Sequence, residues 1–264
     1  MKEKIITSLK YLNNFPFPFT ARHYASLGEV STHLKDGVLR SKESRIVLRD
    51  EHPQYRIPVD RETRLRELYY KKDGQDDKLQ DRVNQFAKLL EEEGIKTVYS
   101  IGSGGGIFEY FLKKRLPSIR IFASEPTQSG VDRLRKVFLE CDDVCVFDAL
   151  NQEDWNKIGK DQDGIVFIYR NEREFTNEDW KKMFEYMYKA KVKKVFLGLM
   201  YLLTLLAFVQ EKIRNTKIEL KGGKVTFVGY LRNYSAFKSF WYNKYTDREI
   251  VFPNCKGLYL TINK

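Results

Sequence analysis

The sequence predicts an α/β fold: a seven-stranded sheet with helices on both faces, preceded by an N-terminal cap region. Three observations predict it. Thr97 to Ile101 alternates β-branched, aromatic and small side chains and runs straight into glycines at 102, 104, 105 and 106. Short apolar runs then recur about one βα unit apart, at Ile119–Ser124, Val144–Phe147, Gly164–Tyr169 and Lys194–Leu197. The chain closes on an aromatic helical face followed by two strand-like runs, Glu249–Phe252 and Gly257–Ile262.

The glycine junction sets the chemistry. Glycine turns with φ > 0 and lets peptide N–H groups approach a bound group without a Cβ in the way. Ile107–Leu116, which follows, has helical composition, so strand, glycine loop and helix start form a nucleotide-type pocket. The dinucleotide fingerprint needs glycine three residues after its second glycine; counted from Gly104, that position is Ile107. No Lys-Ser or Lys-Thr pair follows, which excludes the phosphate loop of nucleoside triphosphatases.

Two acids complete the series. Glu125 ends the second strand, where an acid meets a ribose hydroxyl, and Asp148 ends the third. Taken singly, each also fits a solvated turn or a helix N-cap. In order, G-x-G-x-G, then Glu125, then Asp148 resembles the motif series of the class I S-adenosylmethionine (SAM)-dependent methyltransferases, which have a Rossmann-like sheet. The resemblance implies SAM as cofactor, held by Gly102, Ser103, Gly104, Gly106, Glu125, Pro126, Asp148, Ala149 and Tyr169. It further implies that Glu125 closes on the ribose, that Asp148 approaches the adenine amino group, and that residues after the fourth strand face the methyl. One departure stands out: the family usually carries an acid two positions before the first glycine, and here that position is Ser100.

The remaining elements are placed around that frame. Leu79, Val83, Phe86, Leu89 and Leu90 have helical spacing, after a polar turn at Asp73–Asp77 that marks a boundary between a cap at 1–72 and a main domain at 73–264. Thr176–Glu178 caps a helix to about Ala190, and Leu199–Asn215 reads as an apolar, then basic helix. Lys217–Leu220 and Lys224–Tyr230 flank Gly222-Gly223 and read as a β-hairpin, after which Ser235 caps the aromatic helix. In the cap, Met1–Leu12 has the pattern of a short helix, F-P-F-P-F at 15–19 reads as an extended strap, and His23, His33 and His52 show no metal-ligand spacing.

Charge and composition bound the partners. The net charge is +11, with 15 Lys+Arg against 9 Asp+Glu over residues 1–72, 14 against 18 over 73–170 and 18 against 9 over 171–264. The basic flanks point to an anionic acceptor or to a solubilising surface. Three cysteines without a C-x-x-C pair argue against zinc and against a disulfide framework, and the longest apolar run, Leu199–Val209, is too short to span a bilayer, so a cytoplasmic protein is expected. The expected activity is methyl transfer to a small-molecule or sugar/glycan acceptor, at oxygen, by a chain able to form a homo-oligomer. Tyr169 and Tyr230 are the candidate catalytic residues, and Arg170, Arg173 and Arg232 the candidate acceptor-binding residues. The alternatives are an RNA methyltransferase using the basic flanks, a nucleic-acid partner being the less favoured, and a non-catalytic assembly subunit with this fold.

Overall fold

The computed structural model describes residues 17–26, 75–161, 163–200, 202–223, 225–253 and 255–263. The expectations for Met1–Leu12 and for His33 and His52 lie outside the described residues.

The elements follow in the order β1 (Thr20–Ser26), α1 (Gln75–Glu92), β2 (Thr97–Ile101), α2 (Ile107–Arg115), β3 (Arg120–Glu125), α3 (Gln128–Val137), β4 (Asp143–Val146) and α4 (Gln152–Ile158). Then come β5 (Gly164–Tyr169), α5 (Asn177–Lys189), β6 (Lys194–Leu199), α6 (Leu205–Leu220), β7 (Val225–Arg232), α7 (Tyr234–Trp241), β8 (Tyr245–Phe252) and β9 (Cys255–Ile262). Seven strands form one sheet in the order β4-β3-β2-β5-β6-β9-β8, parallel from β4 to β6 and antiparallel where β9 joins β6 and β8. The seven strands and the terminal antiparallel pair are as expected. The polar turn ends sooner than expected, since Gln75–Asp77 already lie in α1.

Strand alternation assigns the two faces. Val98, Ile165 and Phe167 join α1 and α2 in one aromatic core, where the Phe86 ring lies 4.5 Å from Phe167 and 4.8 Å from Phe196. Val166 and Ile168 point the other way, against Trp180, Phe184 and Met187 of α5 and Phe237 and Trp241 of α7. The central parallel strands β2, β5 and β6 are covered on both sides, which is why they read as near-continuous apolar runs.

Three local expectations are corrected. Lys217–Leu220 is the last turn of α6, and β7 pairs with β1 in a separate two-stranded ribbon, so there is no hairpin across Gly222-Gly223. The glycine pair stops the helix: Gly222 takes φ 76° and its N–H donates to the Glu219 carbonyl at 2.9 Å, while Gly223 N–H reaches Ile218 at 2.9 Å. That helix begins at Leu205, because Thr204 accepts from Ala207 N at 3.1 Å. The aromatic helix is capped by Asn233, which accepts from Ala236 N at 2.9 Å, in place of Ser235.

The strap has a definite anchor. Asn233 Nδ2 donates to the Phe17 carbonyl at 2.7 Å and its Oδ1 accepts from Phe19 N at 3.0 Å, while the Phe19 ring packs edge-on to Phe208 at 5.6 Å. From there β1 runs antiparallel to β7 with a bulge between His23 and Tyr24. Among the described residues, no helix is long and apolar enough to cross a membrane.

Candidate functional site

The chain leaves β2 outward through β3 and β4 and returns to β5 on the other side of β2. A crevice opens at such a switch point, outside the carboxyl ends of the strands. The glycine loop fills its centre, with Gly102, Gly104 and Gly106 at φ 68°, 63° and 66°. Two of these glycines are held by their neighbours: a Cβ on Gly102 would stand 2.6 Å from Asn171 Nδ2, and one on Gly106 would stand 2.7 Å from Leu134 Cδ1. Gly104 faces open space, with nothing within 4 Å of where its Cβ would point.

Glu125, at the tip of β3, turns toward the loop. Its Oε1 accepts from Gly104 N at 2.5 Å, and the residue is fully buried. Ser103 ties the same two strands together, since its N–H donates to the Ser124 carbonyl at 2.9 Å and Ser124 Oγ donates to the Ser100 carbonyl at 2.9 Å. Across the crevice, Asn171 Nδ2 donates to the Ile101 carbonyl at 2.8 Å and latches the β5 tip to the β2 tip.

Ser100, near the end of β2, meets an acid from α2. Ser100 Oγ donates to Glu109 Oε1 at 2.5 Å, both residues being buried. Burial raises the Glu109 carboxyl to about 7, against the Ser100 hydrogen bond that lowers it, and nearby Glu125 adds to the rise. The folded state therefore holds this proton more tightly than the unfolded chain. Its stabilisation is complete below the ordinary carboxyl value and is lost as pH rises through about 7. Unfolding free energy should fall by roughly 3 kcal/mol between pH 4.5 and pH 8 from this group, at 1.4 kcal/mol per pKa unit. Denaturant titrations of wild type and Glu109→Gln across that range check it: the variant loses this part of the slope, and parallel curves for the two proteins refute it.

Solved structures were compared with this fold. Magnesium protoporphyrin IX methyltransferase (ChlM) from Synechocystis PCC 6803 with bound SAH superposes with a TM-score of 0.54 at 14% identity, over 76% of this chain and 93% of that one. The pyocyanin biosynthetic protein PhzM gives 0.52 at 12% identity, over 76% of this chain and 59% of that one. Human N-acetylserotonin methyltransferase in complex with SAM gives 0.51 at 9% identity, over 69% of this chain and 52% of that one, so the chain spans about half of that enzyme. The fold is that of the class I SAM-dependent methyltransferases. No protein-family model and no curated sequence matches the chain.

On this methyltransferase fold the sequence-predicted residues divide into groups. Gly102, Ser103, Gly104, Gly106 and Glu125 come together at the β2 and β3 tips, with half-buried Pro126 directly after them. Asp148 follows β4 and is built into a turn: its Oδ1 accepts from Leu150 N at 2.9 Å, and its own N–H donates to Asp154 Oδ2 at 3.0 Å. Ala149 is buried beneath it, its carbonyl accepting from Trp155 Nε1 at 2.9 Å.

Tyr169 ends β5, its ring 5.0 Å from Phe108 and its hydroxyl 3.8 Å from Met200 Sδ. Burial pushes this hydroxyl up to about 12, so at neutral pH it is a proton donor and an aromatic wall. Arg170 is exposed at the same tip, and its φ of 62° turns the chain away from the strand. Arg173 carries the β1–β7 ribbon, its carbonyl accepting from Tyr230 N at 3.1 Å.

Arg232 is only 1% exposed and is not presented to an acceptor. Its Nε donates to Asn177 Oδ1 at 2.7 Å, Nη1 to the Glu172 carbonyl at 2.8 Å, and Nη2 to the Phe175 carbonyl. Tyr230, Phe237 and Phe240 surround the guanidinium with ring centroids at 5.2, 5.8 and 5.9 Å. Burial lowers it to about 10, still a cation at neutral pH. It clamps the ribbon to the loop after β5.

Glu109 holds a place to which sequence reasoning gave no particular role. The signal for Glu109 is an acid inside the apolar turn Ile107-Phe108-Glu109-Tyr110-Phe111, which has to find a buried partner. His23 Nδ1 meets Glu211 Oε1 at 2.9 Å, and a carboxylate only accepts, so Nδ1 carries the proton and Nε2 the lone pair. Burial lowers the His23 pKa, outweighing Glu211, and the imidazole is neutral at physiological pH.

Proposed function

We propose that this protein is a SAM-dependent methyltransferase acting on a small-molecule or sugar/glycan acceptor. The observation that carries the reading is the meeting of Gly104 N–H and the Glu125 carboxylate at 2.5 Å, at the tips of two neighbouring strands. A left-handed glycine with open space on its Cβ side and a carboxylate at hydrogen-bond range of its amide fit an adenosine and its ribose hydroxyls. Gly102, Ser103, Gly104, Gly106, Glu125, Pro126, Asp148, Ala149 and Tyr169 would hold the cofactor, which supplies a methyl group on a positively charged sulfur.

The chain's own task is then alignment, a nucleophile held in line at near-attack distance. The β5 tip supplies the acceptor side, with Tyr169 as its wall. Ser100, the departure that favours a non-catalytic subunit, loses its force once Glu109 brings a carboxyl to the same place. For an oxygen acceptor the proton has to go to a base. The His23–Glu211 pair on the ribbon suits that role, with its lone pair on Nε2. We read residues 1–72 as a cap that completes the acceptor side of the domain at 73–264; the docking of β1 on β7, and of β7 on Arg173, supports this.

Calorimetry of the full chain with S-adenosylhomocysteine tests the function. Saturable heat at one site is expected, and no heat with either that compound or SAM removes the reading. Once a turned-over acceptor is in hand, His23→Ala should lower kcat by about a hundredfold or more with S-adenosylhomocysteine affinity intact. Unchanged kcat takes the base role from His23.

A further inference from the structure

A guanidinium lies buried at the carboxyl ends of β5 and β6, beside Tyr169. Arg82, from the middle of α1, is 7% exposed. Its Nε donates back to the Lys78 carbonyl at 2.9 Å, and its Nη1 points at two sulfurs, Met200 Sδ at 3.5 Å and Cys255 Sγ at 3.2 Å. The cation stands 5.8 Å from the centroid of the Tyr169 ring. Thioether and thiol sulfurs are weak acceptors, and a buried cation ordinarily has a carboxylate against it. Among the described residues, no carboxylate stands within ion-pair distance of Arg82.

The neighbouring charges are arranged around the same spot. Arg170 is exposed at the β5 tip, and its charge reaches both the Tyr169 hydroxyl and the Cys255 thiol, as that of Arg82 does. Two acids are close by: Glu172 Oε1 accepts from Met200 N at 3.0 Å while its charge also reaches the Cys255 thiol, and Glu109 Oε1 accepts from Ser100 Oγ. The strand register puts all of this on the sheet edge that carries Gly104 and Glu125, since Tyr169 pairs with Gly198 and Leu199 with Lys256.

We propose that Arg82, with Arg170 at the rim and Tyr169 as the wall, forms a subsite for an oxyanion, a carboxylate or a phosphate, carried by the methyl acceptor. That the anion belongs to an acceptor rests on the methyltransferase reading; that the anion binds does not. The guanidinium fork matches a two-oxygen group. An acceptor without that group would leave the buried cation uncompensated, so the subsite selects for anionic acceptors.

The test uses the full chain, with and without saturating S-adenosylhomocysteine, titrated at constant ionic strength with inorganic phosphate and separately with benzoate. Saturable binding of at least one probe at a single site is expected, and the stronger probe tells phosphate from carboxylate. Arg82→Met should weaken it at least tenfold and Arg82→Lys by less. Arg170→Asn, chosen because asparagine tolerates a φ of 62°, should weaken it severalfold. Affinity for S-adenosylhomocysteine should stay within twofold in all three. No saturable binding of either probe to wild type, or equal binding by Arg82→Met, overturns the proposal. If Arg82→Met does not fold, Arg82→Lys and Arg170→Asn decide, and wild-type affinity in both overturns it. Arg82-dependent anion binding in a chain that gives no heat with S-adenosylhomocysteine would strike the methyltransferase reading and leave the subsite standing.

Discussion

Glu125→Ala should weaken S-adenosylhomocysteine binding by about 2–4 kcal/mol, the worth of a charge-assisted pair of hydrogen bonds, or roughly thirty- to eight-hundred-fold in Kd. This substitution separates loop support from ribose binding. The Glu125 carboxylate holds Gly104 N–H at 2.5 Å, so its loss also loosens the glycine loop. If loop support were its whole role, the thermal midpoint would drop while the affinity of the folded protein stayed put. If it meets the ribose, affinity falls at temperatures where the variant is fully folded, and Glu125→Gln, which keeps one acceptor oxygen, recovers part of it. Calorimetry together with a thermal scan on all three proteins distinguishes these outcomes, and an undiminished affinity in Glu125→Ala would falsify the ribose assignment.

Arg232→Ala should be among the most destabilising substitutions on the acceptor side, by about 3–5 kcal/mol, since it strips hydrogen bonds from two buried carbonyls and one amide and leaves a cavity among three rings. For a chain of this length that corresponds to a fall in Tm on the order of 10 °C. An arginine waiting in solvent for an acceptor would cost almost nothing when removed, so differential scanning calorimetry separates the two roles. A shift under about 2 °C means that the clamp is not holding the ribbon.

Much of the frame was legible because of where parallel strands sit. Thr97–Ile101 and Gly164–Tyr169 are covered on both faces, so they stand out as apolar runs, and their carboxyl tips are where glycines and acids have to cluster. The segment 217–230 was misread for a definite reason. A glycine pair serves equally as a hairpin turn and as a helix stop, and the strand that pairs with β7 lies about two hundred residues earlier, beyond any local pattern. Arg232 and Arg82 defeat sequence reading in a similar way. Arginine is ordinarily exposed, and nothing in the local sequence announces an aromatic cage or a pair of sulfurs around it. Ser100 shows the opposite case, a departure from a motif beside which the next helix places a buried carboxyl.

The pairing of β1 with β7 also dictates when the protein can be finished. Thr20 meets Arg232 and Ser26 meets Val225, so the first of these strands leaves the ribosome long before its partner exists. At about 5–20 residues per second it waits some 10–40 s, while β2 to β6 can already assemble behind it. Nascent chains stalled before residue 225 would carry β1 without its partner, and release of the last forty residues would supply both β7 and the antiparallel pair of β8 and β9.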